Sequence, residues 1–157
     1  MPSITPCLWF DTQAEEAAQF YISVFGKGKI IGIERYGEGS PSGQPAGSVM
    51  TVVFELDGQR FTGLNGGPMF KFSEAVSFEI PCADQAEVDH YWSALTEGGE
   101  ESQCGWLKDK FGLSWQVVPN RLIELMQDPD RAKAQRVMDA MMQMKKIDVA
   151  ELERAAL

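Results

Sequence analysis

Few side chains in this sequence are equipped for chemistry. Glu79 is the one candidate general base, because a carboxylate drawn out of water is raised in pKa and can then accept a proton. A Glu held by structural hydrogen bonds is the rival reading of the same residue. Its neighbourhood alternates: Ser77 and Glu79 fall on one side of a strand, and Val76, Phe78 and Ile80 on the other. Cys7 and Cys104 have no adjacent basic residue to stabilise a thiolate, so both are expected to pack rather than react. The sole imidazole, His90, lies off the apolar side of a helix, where a solvated ring is expected. Gln116 carries an amide oxygen that could ligate an ion, but one such donor cannot hold it alone.

These residues need elements to position them. The stretch 104–119 reads as a β-hairpin turning at Asp109 to Gly112 and stopped by Pro119. Its second strand sets Ser114, Gln116 and Val118 against Trp115 and Val117, giving one polar-lined face and one bulky face. Earlier, Ile4 to Phe10 reads as a strand. Thr12-Gln13-Ala14-Glu15 follows as a capping box, then a helix with Ala17, Phe20, Tyr21 and Val24 on its apolar side. Gly26 and Gly28 end that helix. Strands are expected over 29–36, 48–56 and 60–65, with a loop at 37–47 and a tight turn at Asp57-Gly58. The pattern then restarts with a strand over 75–80, a helix start at Asp84-Gln85-Ala86-Glu87, and Val88, Tyr91, Trp92 and Leu95 as its buried side. Thr12 aligns with Asp84 and Phe20 with Trp92 at one constant offset. Asp57 to Phe61 echoes Phe111 to Trp115 as turn, glycine and later aromatic. The chain is therefore a duplicated β-α-β-β-β unit, with halves at about 3–68 and 74–119.

Composition sets outer limits. A net charge of -9 disfavours nucleic acid and anionic membrane as partners. No apolar run approaches a membrane span, and residues 1–3 open no basic and hydrophobic leader. Three widely spaced cysteines form neither a disulfide framework nor a metal-binding pair, which suggests the cytoplasm. With 44% apolar and 24% charged residues in 157, one globular domain over 1–119 with a helical extension over 120–157 is expected. The extension should hold helices at 121–127 and 130–144 and a last one from Asp148. Its methionine-rich face either packs within its own subunit or forms an arm across a dimer.

Ile4 to Phe10, Phe20-Tyr21, Phe25, Leu64 to Pro68 and the motif Asp109-Lys110-Phe111-Gly112-Leu113-Ser114-Trp115 resemble the PhnB-like group. That group is also labelled 3-demethylubiquinone-9 3-methyltransferase-like, and it belongs to the vicinal oxygen chelate superfamily. The resemblance implies an α+β fold of two βαβββ modules whose curved mixed sheets enclose a cleft, usually in a homodimer. It places the superfamily's metal ligands near Pro6, Thr62 and Ala75 and at Gln116, of which only Gln116 could ligate; no metal and no cofactor is expected. Gly63 to Gly67 precedes Pro68 rather than a helix, unlike a methyl-donor loop. Within the implied cleft, Thr5, Cys7, Trp9, Thr62, Asn65, Ser77, Trp106 and Gln116 are the candidate contacts to a small organic ligand, with Phe70 and Phe72 at the rim. Two functions stay open. One is a metal-free binding protein; the other is a superfamily enzyme (lyase, dioxygenase or methyltransferase-like) using Glu79 or a weakly held metal.

Overall fold

Alternating apolar residues and turn glycines divide the chain into strands and short helices, and the computed structural model describes residues 2–157. In the first half, β1 (Cys7–Phe10), α1 (Ala14–Phe25), β2 (Gly28–Arg35), β3 (Val49–Leu56) and β4 (Gln59–Asn65) form a four-stranded sheet of order β1-β4-β3-β2. β1 runs parallel to β4, and the other pairs are antiparallel. In the second, β5 (Ser77–Cys82), α2 (Gln85–Thr96), β6 (Glu100–Glu101), β7 (Trp106–Lys108) and β8 (Ser114–Pro119) give the order β5-β8-β7-β6. Again only the first and last strands pair in parallel. The repeat expected from the helix starts is thus present as one topology used twice. Contacts divide the chain into two units, one ending at Phe72 and one running from Ser73 to Leu157.

The local signals explain most of the first unit. Asp57 (φ 45°) and Gly58 (φ 87°) both sit at positive φ, the conformation a two-residue hairpin turn requires. Gly26, at φ 72°, ends α1 with its N–H on the Ile22 carbonyl. Ala14, Ala17, Ala18, Tyr21 and Val24 are the buried side of α1. Tyr21 stacks on Phe54, and Phe54 on Phe61.

The start of α1 departs from expectation. Gln13, not Thr12, is the N-cap, and it makes no side-chain bond to the helix. Asn65, at the end of β4, does that work from a distance. Its Oδ1 accepts the Ala14 N–H at 2.8 Å, and its Nδ2 donates to the Val49 carbonyl at 3.1 Å. One side chain thus satisfies an orphan helix donor and ties it to the sheet. The helix start in the second unit is local. The Asp84 carboxylate accepts the Glu87 N–H at 3.0 Å, and the Glu87 carboxylate accepts that of Ala83 at 2.8 Å.

α3 (Asn120–Met126), α4 (Arg131–Met141) and α5 (Val149–Ala156) pack within the second unit. Leu122, Leu125, Val137, Ile147 and Leu152 form their common core, with Val118 of β8 and Met126, Met141 and Met144 around it. The Cys104 and Gly105 N–H groups donate to the Met144 and Lys145 carbonyls, both at 2.8 Å. The Gln85 amide bridges the Ile147 carbonyl and the Val149 N–H. Within the single chain these contacts hold the tail against its own unit. No helix among the described residues is long and apolar enough to cross a membrane.

Candidate functional site

Register decides which candidate side chains share a surface. In the second unit Ser77 pairs with Ser114, Glu79 with Gln116, Trp106 with Gln116, Lys108 with Ser114 and Glu100 with Lys108. Directly paired residues point to the same side of a sheet. Ser77, Glu79, Trp106, Lys108, Ser114 and Gln116 therefore share the side opposite α2. The other side carries Phe78, Ile80, Trp115 and Val117, the last three buried, and α2 lies against β7 and β8 there. This is the division expected from alternation, except that Val76 precedes β5 and is exposed.

The helix-free face is partly wired. Gln116 Nε2 donates to Ser77 Oγ at 2.9 Å, which orients the amide oxygen for another partner. Trp106 is half-buried beside it, and Glu79 is exposed. Ser114, expected on the polar-lined face but not as a ligand contact, is 1% exposed, and its Oγ has no hydrogen-bond partner among the described residues. A buried hydroxyl left unsatisfied costs about 1–3 kcal/mol. Its place opposite Lys108 on one side and Ser77 on the other follows from register. Lys108 forms an ion pair with Glu74, which holds the Glu74 carboxyl below and the Lys108 ammonium above their ordinary ranges.

In the first unit Cys7, Trp9, Thr62 and Leu64 share the helix-free face through the pairs Cys7 with Thr62 and Trp9 with Leu64. Thr5 lies just before the strand and is exposed. Trp9 donates its indole N–H to the Gly67 carbonyl at 2.9 Å and meets Phe70 edge-on. Gly66 lies under that indole, where any Cβ would collide with the ring. Phe72 stands edge-on to Phe10, a residue of the buried helix side.

Asn65 belongs elsewhere. It is an odd number of residues from Thr62, so alternation turns it to the helix side. There it is 5% exposed, with both ends of its amide bonded to backbone.

The thiols are quiet. Burial, aided by Glu87 and Asp84, pushes Cys82 up to about 12, and burial also raises Cys7. Cys104 Sγ lies 3.7 Å from Met142 Sδ. His90 is exposed on α2, edge-on to Tyr91. Among the described residues no three His, Cys, Asp or Glu side chains converge as metal ligands.

The Asp-x-Phe-Gly-x-x-Trp motif has a structural explanation. The Asp109 carboxylate, 2% exposed, accepts the Phe111 and Leu113 N–H groups on Oδ1 and the Trp115 indole N–H on Oδ2. Gly112 takes φ 88° in the turn. The motif staples the hairpin shut on the helix side, away from the candidate face.

Comparison with known proteins places this geometry. The profile of the 3-demethylubiquinone-9 3-methyltransferase family matches residues 2–118. A solved PhnB protein from Bacillus cereus is 33% identical, with a TM-score of 0.67 over 75% of this chain and 99% of its own. A Pseudomonas aeruginosa protein at 22% identity shares the fold with a TM-score of 0.62, over 76% of this chain and 98% of its own. So does the fosfomycin resistance protein FosX of Listeria monocytogenes, solved with Mn(II) and sulfate. It is 12% identical, with a TM-score of 0.52 over 75% of this chain and 89% of its own. No curated protein matches the chain.

Proposed function

The chain belongs to the 3-demethylubiquinone-9 3-methyltransferase family, PhnB-like proteins of vicinal oxygen chelate fold, and we propose that it binds a small organic ligand without metal on the helix-free face of its second sheet. The observation that carries this reading is the juxtaposition there of a half-buried indole, Trp106, with the Gln116 amide that Ser77 orients. An apolar surface with a few aimed polar groups is what organic ligands need. Ser77, Trp106 and Gln116 are the proposed contacts, with Glu79 at the exposed edge. Cys7, Trp9 and Thr62 offer a second, more apolar face on the first sheet.

Catalysis is not part of the proposal. Glu79 is exposed at the edge of the face, and a methyl donor of nucleotide type would need a glycine-rich turn leading into a helix. Here Leu64-Asn65-Gly66-Gly67 leads to Pro68, and Gly66 is needed to admit the Trp9 ring. Among the described residues no three His, Cys, Asp or Glu side chains come together to hold an ion such as the Mn(II) of the Listeria structure. Proline, threonine and alanine stand near three of the positions that the superfamily resemblance gives to metal ligands, and at the fourth Gln116 offers a single amide oxygen, too few donors to hold an ion.

Trp106→Ala should leave the denaturation midpoint nearly unchanged and weaken ligand binding at least tenfold. A fluorescence-monitored screen of small organic compounds supplies the ligand, and its titration against the variant gives the comparison. Undiminished affinity would remove Trp106, and with it this face, from the proposal. We further read the protein as a cytoplasmic homodimer. Native mass spectrometry should find two chains and no stoichiometric divalent metal. A monomer at micromolar concentration, or one tightly held Zn, Mn, Ni or Fe per chain, overturns the corresponding part.

A further inference from the structure

The two units share one plan, so positions on one sheet have counterparts on the other. Thr62 and Gln116 are equivalent, since they pair with Cys7 and Glu79 on the first strand of each unit. Following the registers outward, Arg60 matches Ser114, Glu55 matches Lys108, and Lys29 matches Glu100. The first unit therefore carries the cross-strand row Lys29, Glu55, Arg60: cation, anion, cation. The second carries Glu100, Lys108, Ser114: anion, cation, hydroxyl. The signs are reversed, and the third charged side chain is gone.

At that place the second unit has a cavity of about 120 Å³ bordered by Glu74, Glu100, Glu101, Trp106, Lys108 and Ser114. On the helix-free side Glu74 and Glu100 stand beside the Lys108 ammonium, two carboxylates to one cation, so that border is negative; Glu101, paired with Leu107, points to the α2 side. Glu101 accepts the Trp92 indole N–H at 2.9 Å, and Glu74 is paired with Lys108. The acidic border alone would only describe a solvated rim. Ser114 adds an independent sign of a ligand: it lines the cavity, is 1% exposed, and its hydroxyl has no partner among the described residues.

We infer that this cavity takes the cationic head of a small organic ligand, an ammonium or guanidinium group lodged where the first unit has an arginine. Its N–H donors would bond to the Glu100 carboxylate and to Ser114 Oγ, and the Trp106 ring would offer a π face to the charge. A carboxylate or phosphate would meet the same negative border and be repelled. The cavity is somewhat smaller than the roughly 150 Å³ that holds a benzene ring, so the head has about six non-hydrogen atoms or fewer. The inference rests on the second sheet's helix-free face being the ligand face, and it adds the charge and size of what binds there.

The test uses the full chain, labelled for NMR, titrated at constant ionic strength with methylguanidinium chloride, butylammonium chloride and sodium butyrate. The two cations should saturate at millimolar concentration and shift the Trp106 indole and the Lys108 and Ser114 amides. Butyrate should not saturate. Glu100→Gln should weaken the cations at least tenfold and Ser114→Ala about threefold. Saturation by butyrate instead, an equal response to magnesium chloride, or shifts confined to other residues would each overturn the inference; the last comparison needs no variant. A neutral or anionic ligand that shifts Trp106 and Gln116, and that methylguanidinium cannot displace, defeats the inference but leaves the ligand face standing. If no compound shifts Trp106, both fall.

Discussion

Trp115→Ala is expected to lower stability by about 3–5 kcal/mol, a large share of what holds a domain of this size together. The ring is 3% exposed, lies 5.6 Å from Phe78 centre to centre, and donates its N–H to Asp109 Oδ2 at 2.8 Å. Truncation would empty the core under α2 and strip one donor from a buried carboxylate. Trp115→Phe separates those effects, since it keeps most of the ring and loses only the N–H. It should cost about 1–3 kcal/mol, the usual consequence of leaving a buried polar group unmatched. Asp109→Ala should match or exceed it, because it orphans the Phe111 and Leu113 N–H groups as well as the indole. Urea unfolding of the three variants, with a double-mutant cycle on Asp109 and Trp115, gives the coupling directly. Trp106→Ala is the control. If it proves more destabilising than Trp115→Ala, the two sides of the sheet have been exchanged and the proposed site must be withdrawn.

Deleting residues 131–157 is expected to abolish cooperative folding of the second unit. Val137, Ile147 and Leu152 are fully buried, and burying one such side chain contributes roughly 1.5–3 kcal/mol. Losing three approaches the whole stability of a small domain, and Leu122 and Leu125 would be laid bare too. The ion pairs of the tail do not compete with that. Arg121 grips Glu153 through two hydrogen bonds of 2.5 and 3.2 Å, yet both side chains are substantially exposed, where water and salt screen such pairs and they contribute little. In the truncated protein the emission of Trp92 and Trp115 should shift to the red and the near-ultraviolet dichroism should collapse. Native emission with only weakened self-association would identify the tail as an arm between subunits instead.

Much of the architecture follows from the sequence alone, because its causes are local. The turn glycines Gly58 and Gly112 and the helix stop at Gly26 are needed for positive φ, which few other residues tolerate. Period-2 alternation separates Ser77 and Glu79 from Phe78 and Ile80, and Gln116 from Trp115 and Val117, whatever the strands pair with. The repeated helix starts are enough to reveal the duplication, although only one of the two is capped by its own residues.

The rest depended on partners far away in the chain. Asn65 reads as a polar site residue until β4 brings it to the first N–H of α1, where the fold uses it as a cap. Asp109 reads as an ordinary turn residue until the hairpin closes and its carboxylate gathers two backbone donors and an indole. How far Glu79 is exposed is likewise a property of the packed molecule rather than of the strand. The row Glu100, Lys108, Ser114 is spread over three strands, so only register makes it a row. A hydroxyl without a partner is likewise invisible in a sequence, because it is defined by what the tertiary structure fails to bring to it.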